Sequence, residues 1–331
     1  MIDGPLKMLP GGTYWYATSY VCTGEIRHTQ LKGSLDNPYA SAIWMKKTCN
    51  RNASGYCINE VDKGTNFFTS FNPSLNDVVA LWLVGVYSVG GSEYIGIVHE
   101  ELVGHSSPGS GKTRIGLAWS NDSGNTWKYL GRIISQLEDP IGNIQGAPYM
   151  IKDGYMYVYF HDEKSGAGVA VARANLGNVI SSARAGHVGT NLWKKYFQGI
   201  WSEPGMGGRS DSLGIQGISH SQIVWSNLTK RYYFATSRMS WNQQNTFVKL
   251  YESVDGVNWK FSKTIVEEPA SQQGLDGGYQ YCTVVSDNAS ANHIANGSFY
   301  VYCAKFKTSA TNICSSQRNS QALHRWKITV Q

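Results

Sequence analysis

The sequence is poor in charged residues. Only 16% of its 331 residues are Asp, Glu, Lys or Arg, against about a quarter in an average globular protein. The formal net charge is +6, and the basic residues are scattered along the chain. A nucleic-acid-binding protein needs a concentrated basic surface, so this distribution argues against a nucleic-acid partner. It remains compatible with an acidic glycan as a ligand.

The sequence also lacks long apolar runs. A transmembrane helix needs about 18 consecutive apolar residues, and no such run is present, so we expect no membrane span. Sustained helical periodicity is missing as well. In place of charged residues the chain has 36 Gly, 20 Tyr and 11 Trp. This composition is typical of short strands joined by tight turns.

None of the six cysteines belongs to the C-x2-C pair of a zinc site. They form two local groups, Cys22, Cys49 and Cys57 near the start and Cys282, Cys303 and Cys314 near the end. An even number in local groups indicates disulfides and an oxidising compartment, so we expect a secreted protein. Cys49–Cys57 and Cys303–Cys314 are the candidate loop disulfides, although spacing alone does not determine the pairing.

One type of strand recurs five times, at residues 14–20, 94–100, 156–162, 232–238 and 299–305. Each copy is preceded by a turn and another apolar strand, and each is followed by a third strand. The mean spacing is 331 residues divided by five, about 66, which suits a four-stranded propeller blade with long loops. The sequence therefore predicts an all-β fold with a single domain over residues 1–331. We expect a five-bladed β-propeller with four-stranded antiparallel blades.

The last copy of the repeat reaches only its third strand. Its fourth strand is expected to come from elsewhere, or the blade closes by exchange with the first strands. A jelly roll or a double sandwich is the alternative fold, but neither would produce five matched strand triplets.

Two short segments predict a specific turn. Residues 120–127 (SNDSGNTW) fit the pattern S-x-D-x-G-x-T-W, and residues 253–259 (SVDGVNW) are a copy one residue shorter. Both resemble the Asp-box of sialidases and related propellers, a turn between the outer two strands of a blade. We expect Asp122 and Asp255 to accept hydrogen bonds of the turn while glycine supplies a positive φ. The role predicted for both acids is structural.

The start of the chain, residues 3–5 (Asp-Gly-Pro) followed by a strand and residues 11–16, resembles the first blade of five-bladed glycoside hydrolases of the arabinanase and xylosidase type. The resemblance implies that Asp3 acts as a base near the propeller axis. It is incomplete, because Asp139-Pro140 stands several residues before the position of the family's Asp-Pro. Residues 217–220 also lack the glutamate that the family uses as its acid.

A propeller brings equivalent positions of its blades to one rim around the axis. Aligning the five second strands places at one such position Tyr20, Glu100, Asp162, Arg238 and Lys305. Polar residues that end apolar strands indicate a binding site, and two carboxylates from adjacent blades meet the minimum requirement of glycoside hydrolysis. We therefore predict Glu100 and Asp162 as the catalytic pair. The alternative is that these charges are ordinary residues of a solvated rim.

The remaining polar residues of this rim are predicted to assist the pair. Asp3 and His220 are expected to support catalysis. The two cations of the aligned position would separate the pKa values of the carboxylates and would bind an acidic sugar. The predicted substrate-binding residues are His99, His161, Arg238, Tyr281, Tyr20 and Lys305.

A divalent cation such as calcium is an alternative ligand of this rim. The strings His99-Glu100 and His161-Asp162 supply the nitrogen and oxygen atoms that such ions bind. Neighbouring residues of a strand point to opposite faces, however, so one strand does not offer both members to a single ion. The sequence therefore predicts no metal site and no cofactor.

Together these features predict a monomeric glycoside hydrolase that cleaves a polysaccharide or oligosaccharide in the central funnel. Two alternatives stay open. His220 and Tyr281 are the pair that a polysaccharide lyase would use to abstract the proton next to a uronate carboxylate. The other alternative is a carbohydrate-binding propeller without catalysis, although the unequal side chains of the five copies favour an enzyme.

Overall fold

We describe the fold from a computed structural model of the chain. The residues that the structure describes are 7–9, 13–20, 25–32, 41–51, 57–58, 68–71, 78–102, 112–137, 143–162, 168–217, 222–238, 245–269, 278–287, 294–306 and 321–331. Before residue 68 the description is confined to the backbone.

Strands dominate the described residues, as the alternation of apolar and polar residues predicts. In the first part of the chain they are β1 (Lys7–Leu9), β2 (Thr13–Tyr20), β3 (Glu25–Lys32), β4 (Ser41–Arg51), β5 (Cys57–Ile58), β6 (Phe68–Phe71), β7 (Val78–Gly90), β8 (Glu93–Leu102), β9 (Thr113–Ser120) and β10 (Trp127–Ile134). They are followed by β11 (Ile144–Gln145), β12 (Tyr149–Lys152), β13 (Tyr155–Asp162), β14 (Gly168–Asn175), α1 (Leu176–Arg184), β15 (Lys194–Phe197) and β16 (Ile200–Pro204). The last are β17 (Val224–Ser226), β18 (Arg231–Arg238), β19 (Thr246–Ser253), β20 (Lys260–Glu268), β21 (Tyr279–Ser286), β22 (Ile294–Ala295), β23 (Ser298–Phe306) and β24 (Gln321–Thr329).

The strands lie in sheets that follow one another along the chain. Four sheets contain a run of four antiparallel strands, namely β1–β4, β7–β10, β12–β15 and β17–β20. Short strands extend them, which are β5, β6, β11, β16 and β22. The last sheet has three strands in the described part of the chain, β21, β23 and β24. The prediction of four-stranded antiparallel blades is therefore confirmed for four sheets, but the described residues show four such blades and not the predicted five, because the last sheet has only three strands there.

These sheets pack in a propeller arrangement. β9 contacts β11, β18 contacts β21, and β1 lies against both β7 and β21, so the first and last sheets meet. Apolar clusters fill the spaces between neighbouring sheets. The cluster between the second and third sheets includes Trp82, Ile97, Leu117, Tyr149, Val158 and Phe160.

The third sheet shows how the local sequence determines this packing. A two-residue loop, Asp153-Gly154, joins β12 to β13, and its φ angles are 49° and 75°. Such a hairpin loop needs positive φ at both positions, which Asp and Gly adopt with little strain. The alternation along β13 then places Val158 and Phe160 against the second sheet and Tyr159 against the fourth.

Helix α1 was not predicted from the sequence. Asn175 caps its start, because the Asn175 side chain accepts a hydrogen bond of 3.1 Å from the Asn178 backbone N–H. Only Val179 and Ala183 are buried in its nine residues, so its apolar periodicity is too short to detect. No helix in the described part of the chain is long and apolar enough to cross a membrane.

A disulfide joins the two inner strands of the last sheet. It links Cys282 on β21 to Cys303 on β23, where the Cα atoms are 4.1 Å apart and both side chains are fully buried. The predicted Cys303–Cys314 pair is therefore wrong, because the partner of Cys303 lies on the adjacent strand rather than in the following loop. Pairing of Cys49 with Cys57 stays a prediction.

Strand β20 forms the outer edge of the fourth sheet. Most of its residues are exposed, and its sequence KFSKTIVEE carries two lysines and two glutamates. Phe261 is 55% exposed there. The outer edge of this sheet is thus charged at both ends of the strand.

Candidate functional site

The predicted rim residues lie at or near the ends of the second strands. Glu100 is in β8, Asp162 ends β13, Arg238 ends β18 and Lys305 is the next-to-last residue of β23. Tyr20 ends β2, in the part of the chain described by its backbone alone. Asp3 and His220 lie outside the described residues.

Glu100 is a fully buried carboxylate. Its Oε2 atom accepts a hydrogen bond of 2.7 Å from Nε of Arg132 on the outer strand β10. The Arg132 side chain is 26% exposed. A buried carboxylate needs such a partner, because removing its charge from water is costly. Arg132 was not singled out from the sequence.

Asp162 is also buried, with 1% of its surface exposed. Its Oδ2 atom accepts a hydrogen bond of 2.8 Å from the Ser210 hydroxyl. Ser210 lies in residues 205–211, the segment that follows the edge strand β16. The structure thus anchors Asp162 to a loop of its own sheet that lies 48 residues further along the chain.

A buried lysine lies next to this pair. Lys195 on β15 is fully buried, and its Nζ atom donates hydrogen bonds of 2.6 Å to the backbone oxygens of Ser135 and Gly208. Burial lowers the pKa of Lys195 to about 8, and Arg114 acts in the same direction, whereas Asp162 and Glu203 oppose the change. Such perturbed groups cluster at functional sites.

The charged residues of the second and third sheets form a linked group. Lys195 interacts electrostatically with both Asp162 and Arg114. Arg114, itself fully buried, pairs in register with Glu100 across β8 and β9. The two predicted catalytic carboxylates therefore belong to one buried charge group that also contains Lys195 and Arg114. We call Glu100, Arg114, Asp162 and Lys195 the buried charge group.

His99 and His161 each lie one residue before a predicted carboxylate, so their side chains point to the opposite face of the sheet. His99 is 9% exposed and pairs in register with Trp82 and Ile115. Nδ1 of His161 is buried and has no hydrogen-bond partner among the described residues. The described residues contain no group of three or more His, Cys, Asp or Glu that could hold a metal ion.

Arg238 is bound within its own sheet. Its Nε atom donates a hydrogen bond of 2.9 Å to the backbone oxygen of Asn245. The guanidinium carbon lies 4.6 Å from the centre of the Phe247 ring, directly across the strand pair. Such contacts hold the planar guanidinium close to the sheet.

Lys305 joins the last two sheets. Its Nζ atom lies 2.6 and 2.7 Å from the two oxygens of Glu268 on β20, and 3.1 Å from the Tyr279 hydroxyl. Tyr279 also donates to Glu268 at 2.8 Å. Burial alone would raise the pKa of Glu268, but the hydrogen bonds from Lys305 and Tyr279 outweigh burial and lower it. The charge of Lys305 is therefore neutralised by an acid that the sequence did not indicate.

Tyr281 has an unusual backbone. Its φ is 52°, in the left-handed region that non-glycine residues rarely adopt. The pairing of β21 with β23 shifts by one residue between Gln280 and Thr283, which is a β-bulge. Because of the bulge, Tyr279 and Cys282 both face the core cluster, while Tyr281 is only half-buried.

Bulges recur at the same place in other sheets. In the second sheet the pairing shifts between Val78 and Ala80, opposite the end of β8. In the third sheet Gln145 pairs with His161 and Tyr149 pairs with Val158, so one strand has an extra residue there. Bulges redirect side chains and are common next to active sites. These three bulges lie beside the ends of the second strands that carry the predicted rim residues, although β7 has further register shifts along its length.

The two segments with a sialidase-like turn pattern make local hydrogen bonds. Oδ1 of Asp122 accepts from the Thr126 backbone N–H at 2.9 Å, and Gly124 has a φ of 80°. Oδ1 of Asp255 accepts from the Val257 backbone N–H at 2.8 Å. These contacts give both acids a role in holding a turn.

Comparison with known proteins matches the fold but not the sequence. No family model matches the chain, and no curated protein matches it. An α-L-arabinofuranosidase from Lactobacillus brevis matches with a TM-score of 0.54 and 12% identity, covering 100% of this chain and 91% of its own. The catalytic domain of an α-L-arabinofuranosidase from Coprinopsis cinerea matches with a TM-score of 0.50 and 8% identity, covering 98% and 91%.

The fold of this chain is therefore similar to that of solved glycosidases. An exo-β-1,3-galactanase from Clostridium thermocellum has a TM-score of 0.53 and 12% identity, covering 98% of this chain and 59% of its own. Identities this low establish a likeness of fold alone. The resemblance inferred from residues 3–5 and 11–16 is thereby supported at the level of the fold.

The sequence did not indicate four residues that hold the charged rim in place. They are Arg132, Lys195, Ser210 and Glu268. Each binds a partner at least 13 residues away, and none belongs to the repeated strand type. Lys195 carried no local signal either, because it follows a second lysine in the strand KKYF.

Proposed function

We propose that this protein is a glycoside hydrolase that cleaves a polysaccharide or oligosaccharide in the central funnel of its propeller. The main support is the match in fold to glycosidases over 98–100% of the chain. Fold alone does not imply function. The second support is therefore the buried charge group with its two carboxylates from consecutive sheets.

We propose further that the chain forms five blades around one axis, with the last sheet as the fifth blade. The contact between β1 and β21 supports a ring of this kind, because it joins the first sheet to the last. The two turn segments would be Asp-boxes between outer strands.

In this proposal Glu100 and Asp162 act as the acid and base of glycoside hydrolysis. Asp3 and His220 support them, and Tyr281 and Arg238 contact the sugar. The observation that carries the assignment is that both carboxylates lie at or near the ends of second strands in neighbouring sheets and belong to one buried charge group. No part of the mechanism requires a cofactor.

The test is a matched pair of substitutions in the third sheet. Wild type is first screened on a panel of purified glycans for released reducing ends. Asp162→Asn is then expected to lower kcat by on the order of 1,000-fold, the size of a lost acid or base. Asp153→Asn is the control, because Asp153 is 74% exposed in the β12–β13 turn and Asn tolerates its positive φ.

Full activity in both Asp162→Asn and Glu100→Gln would refute the catalytic assignment. Sugar binding without release of reducing ends on any glycan would instead support the non-catalytic alternative. A carbohydrate is thus the expected ligand whether the protein is a hydrolase or a non-catalytic binding protein.

A polysaccharide lyase is the second candidate, and the backbone of Tyr281 favours it. Residues held at positive φ often belong to functional sites, and a tyrosine is a suitable acid or base for β-elimination. The readout is the absorbance of an unsaturated uronate product at about 235 nm. Reducing ends released from uronate polymers without this absorbance would exclude the lyase.

We also propose that the protein is secreted. The buried Cys282–Cys303 disulfide supports this location, since such bonds persist in oxidising compartments. Treatment of cells with a reductant during synthesis is expected to lower the yield of folded protein, whereas a cytosolic protein would be insensitive.

A further inference from the structure

The buried charge group contains two residues that the proposed chemistry does not use, Arg114 and Lys195, and Lys195 is the one that connects separate parts of the chain. Lys195 is fully buried, and its two hydrogen-bond acceptors come from different sheets or loops: Ser135 follows β10, and Gly208 lies in the 205–211 segment. The Phe160 ring lies 5.5 Å from its Nζ atom. Burying an ammonium group is costly, so we expect the buried Lys195 to have a specific role.

The 205–211 segment depends on these contacts. The backbone N–H of Ser135 donates to Gly205 at 3.1 Å, and the backbone N–H of Gly207 donates to the Ser135 hydroxyl at 2.9 Å. The Lys195 ammonium adds one hydrogen bond to Ser135 and one to Gly208, so it links Ser135 to the 205–211 segment. Ser210, at the far end of the segment, donates to the Asp162 carboxylate at 2.8 Å.

We propose that Lys195 is a positioning residue for Asp162. Its ammonium links the 205–211 segment to Ser135 by hydrogen bonds. The segment held in this way positions the Asp162 carboxylate through the hydrogen bond from Ser210. This inference rests on the proposed catalytic role of Asp162. It adds that the protonation state of Lys195, which lies outside the catalytic pair, determines how firmly the 205–211 segment is held against Ser135.

The chemistry of the ammonium makes this link dependent on pH. The protonated group donates charge-assisted hydrogen bonds, which are stronger than those of a neutral amine. The charged groups around Lys195 are Asp162 on β13, Glu203 on β16 and Arg114 on β9. Because burial lowers the pKa of Lys195 to about 8, the link is expected to weaken as the pH rises through this value.

A methionine in the segment provides a direct readout. Met206 is 43% exposed and lies between Gly205 and Gly207, so its methyl group reports on the segment. With ¹³C-methyl methionine, its NMR signal is followed from about pH 6 to about pH 10. Wild type is expected to show a transition near pH 8. Lys195→Arg stays charged throughout and is expected to show none.

The control is the neighbouring lysine on the same strand. Lys194 points to the opposite face of β15 and is only half-buried. Lys194→Met is expected to keep the transition of the Met206 signal. No transition in wild type, or a transition that persists in Lys195→Arg, overturns the proposal. This readout needs no substrate and is independent of the proposed function.

The catalytic consequence is measured separately. Lys195→Met and Ser210→Ala are expected to lower kcat by about 100-fold with little change in KM, because a small misplacement of a reacting group has this effect. Lys195→Arg is expected to restore most of kcat. An unchanged kcat in Ser210→Ala, when Asp162→Asn is inactive, overturns the positioning role. Activity in Asp162→Asn with the Met206 transition intact contradicts the proposed function instead.

Discussion

The ion pair between Glu100 and Arg132 provides a sharp test of how the rim is stabilised. Arg132→Met keeps an unbranched apolar stem but leaves the Glu100 carboxylate, which is fully buried, without the Arg132 cation. Removing one partner of a buried pair costs about 3 to 5 kcal/mol. Since the Arg132 side chain is 26% exposed, we expect the lower end, about 3 kcal/mol of the free energy of unfolding.

The chain offers a matched control on its surface. Arg184 binds Glu93 with a hydrogen bond of 3.0 Å from Nε, but the Arg184 side chain is 53% exposed and the Glu93 side chain is 30% exposed. Arg184→Met is therefore expected to cause no resolvable loss, because water replaces the partner of each charge.

Urea unfolding followed by tryptophan fluorescence measures both variants, provided that the denaturant dependence stays the same. A double variant with Glu100→Gln is expected to recover part of the loss from Arg132→Met, since it removes the buried charge that Arg132 no longer neutralises. Equal stability of the Arg132 and Arg184 variants would refute the argument that Glu100 is held in a buried ion pair. It would also leave the placement of Glu100 unexplained.

Three further outcomes are expected. Between pH 8 and 10.5, Lys195 is protonated in the unfolded chain but deprotonated in the folded chain. The free energy of unfolding of wild type should therefore rise over this range by about 3 kcal/mol relative to Lys195→Met. Parallel pH profiles of the two proteins in urea titrations would contradict this. Tyr159→Phe should cost about 1 kcal/mol in thermal unfolding, because the Tyr159 hydroxyl donates at 2.6 Å to the buried Gly256 backbone oxygen, which keeps a second donor in Nε1 of Trp259; an unchanged midpoint would argue against that bond. Replacing Cys282 and Cys303 by alanine should cost about 3 kcal/mol for a closed loop of 21 residues, and equal stability of the reduced and oxidised wild type would oppose it.

The repeat in the sequence predicts the second strands well. Glu100, Asp162, Arg238 and Lys305 all lie at or near strand ends, as their alignment indicated. The reason is that a buried strand leaves a periodic apolar pattern and its polar end interrupts that pattern. Residues that share this local pattern are therefore visible without any knowledge of contacts.

The partners of these residues leave no such pattern. Ser210 binds Asp162 across 48 residues of chain, and Glu268 binds Lys305 across 37. The contacts depend on how loops and outer strands fold back, which local periodicity does not encode. The disulfide shows the same limit, because a loop partner was expected for Cys303 and an adjacent strand supplied it. Asp3 and His220 stay predictions.

The outer strand of the fourth sheet has a consequence for association between molecules. An open strand edge invites another chain to extend the sheet, and charged residues on that edge oppose such extension. Along β20, Lys260 and Lys263 precede Glu267 and Glu268, so a second copy aligned in parallel would set like charges side by side. We expect these charges to oppose the addition of a parallel copy at this edge, and the opposition to weaken as added salt screens the charges.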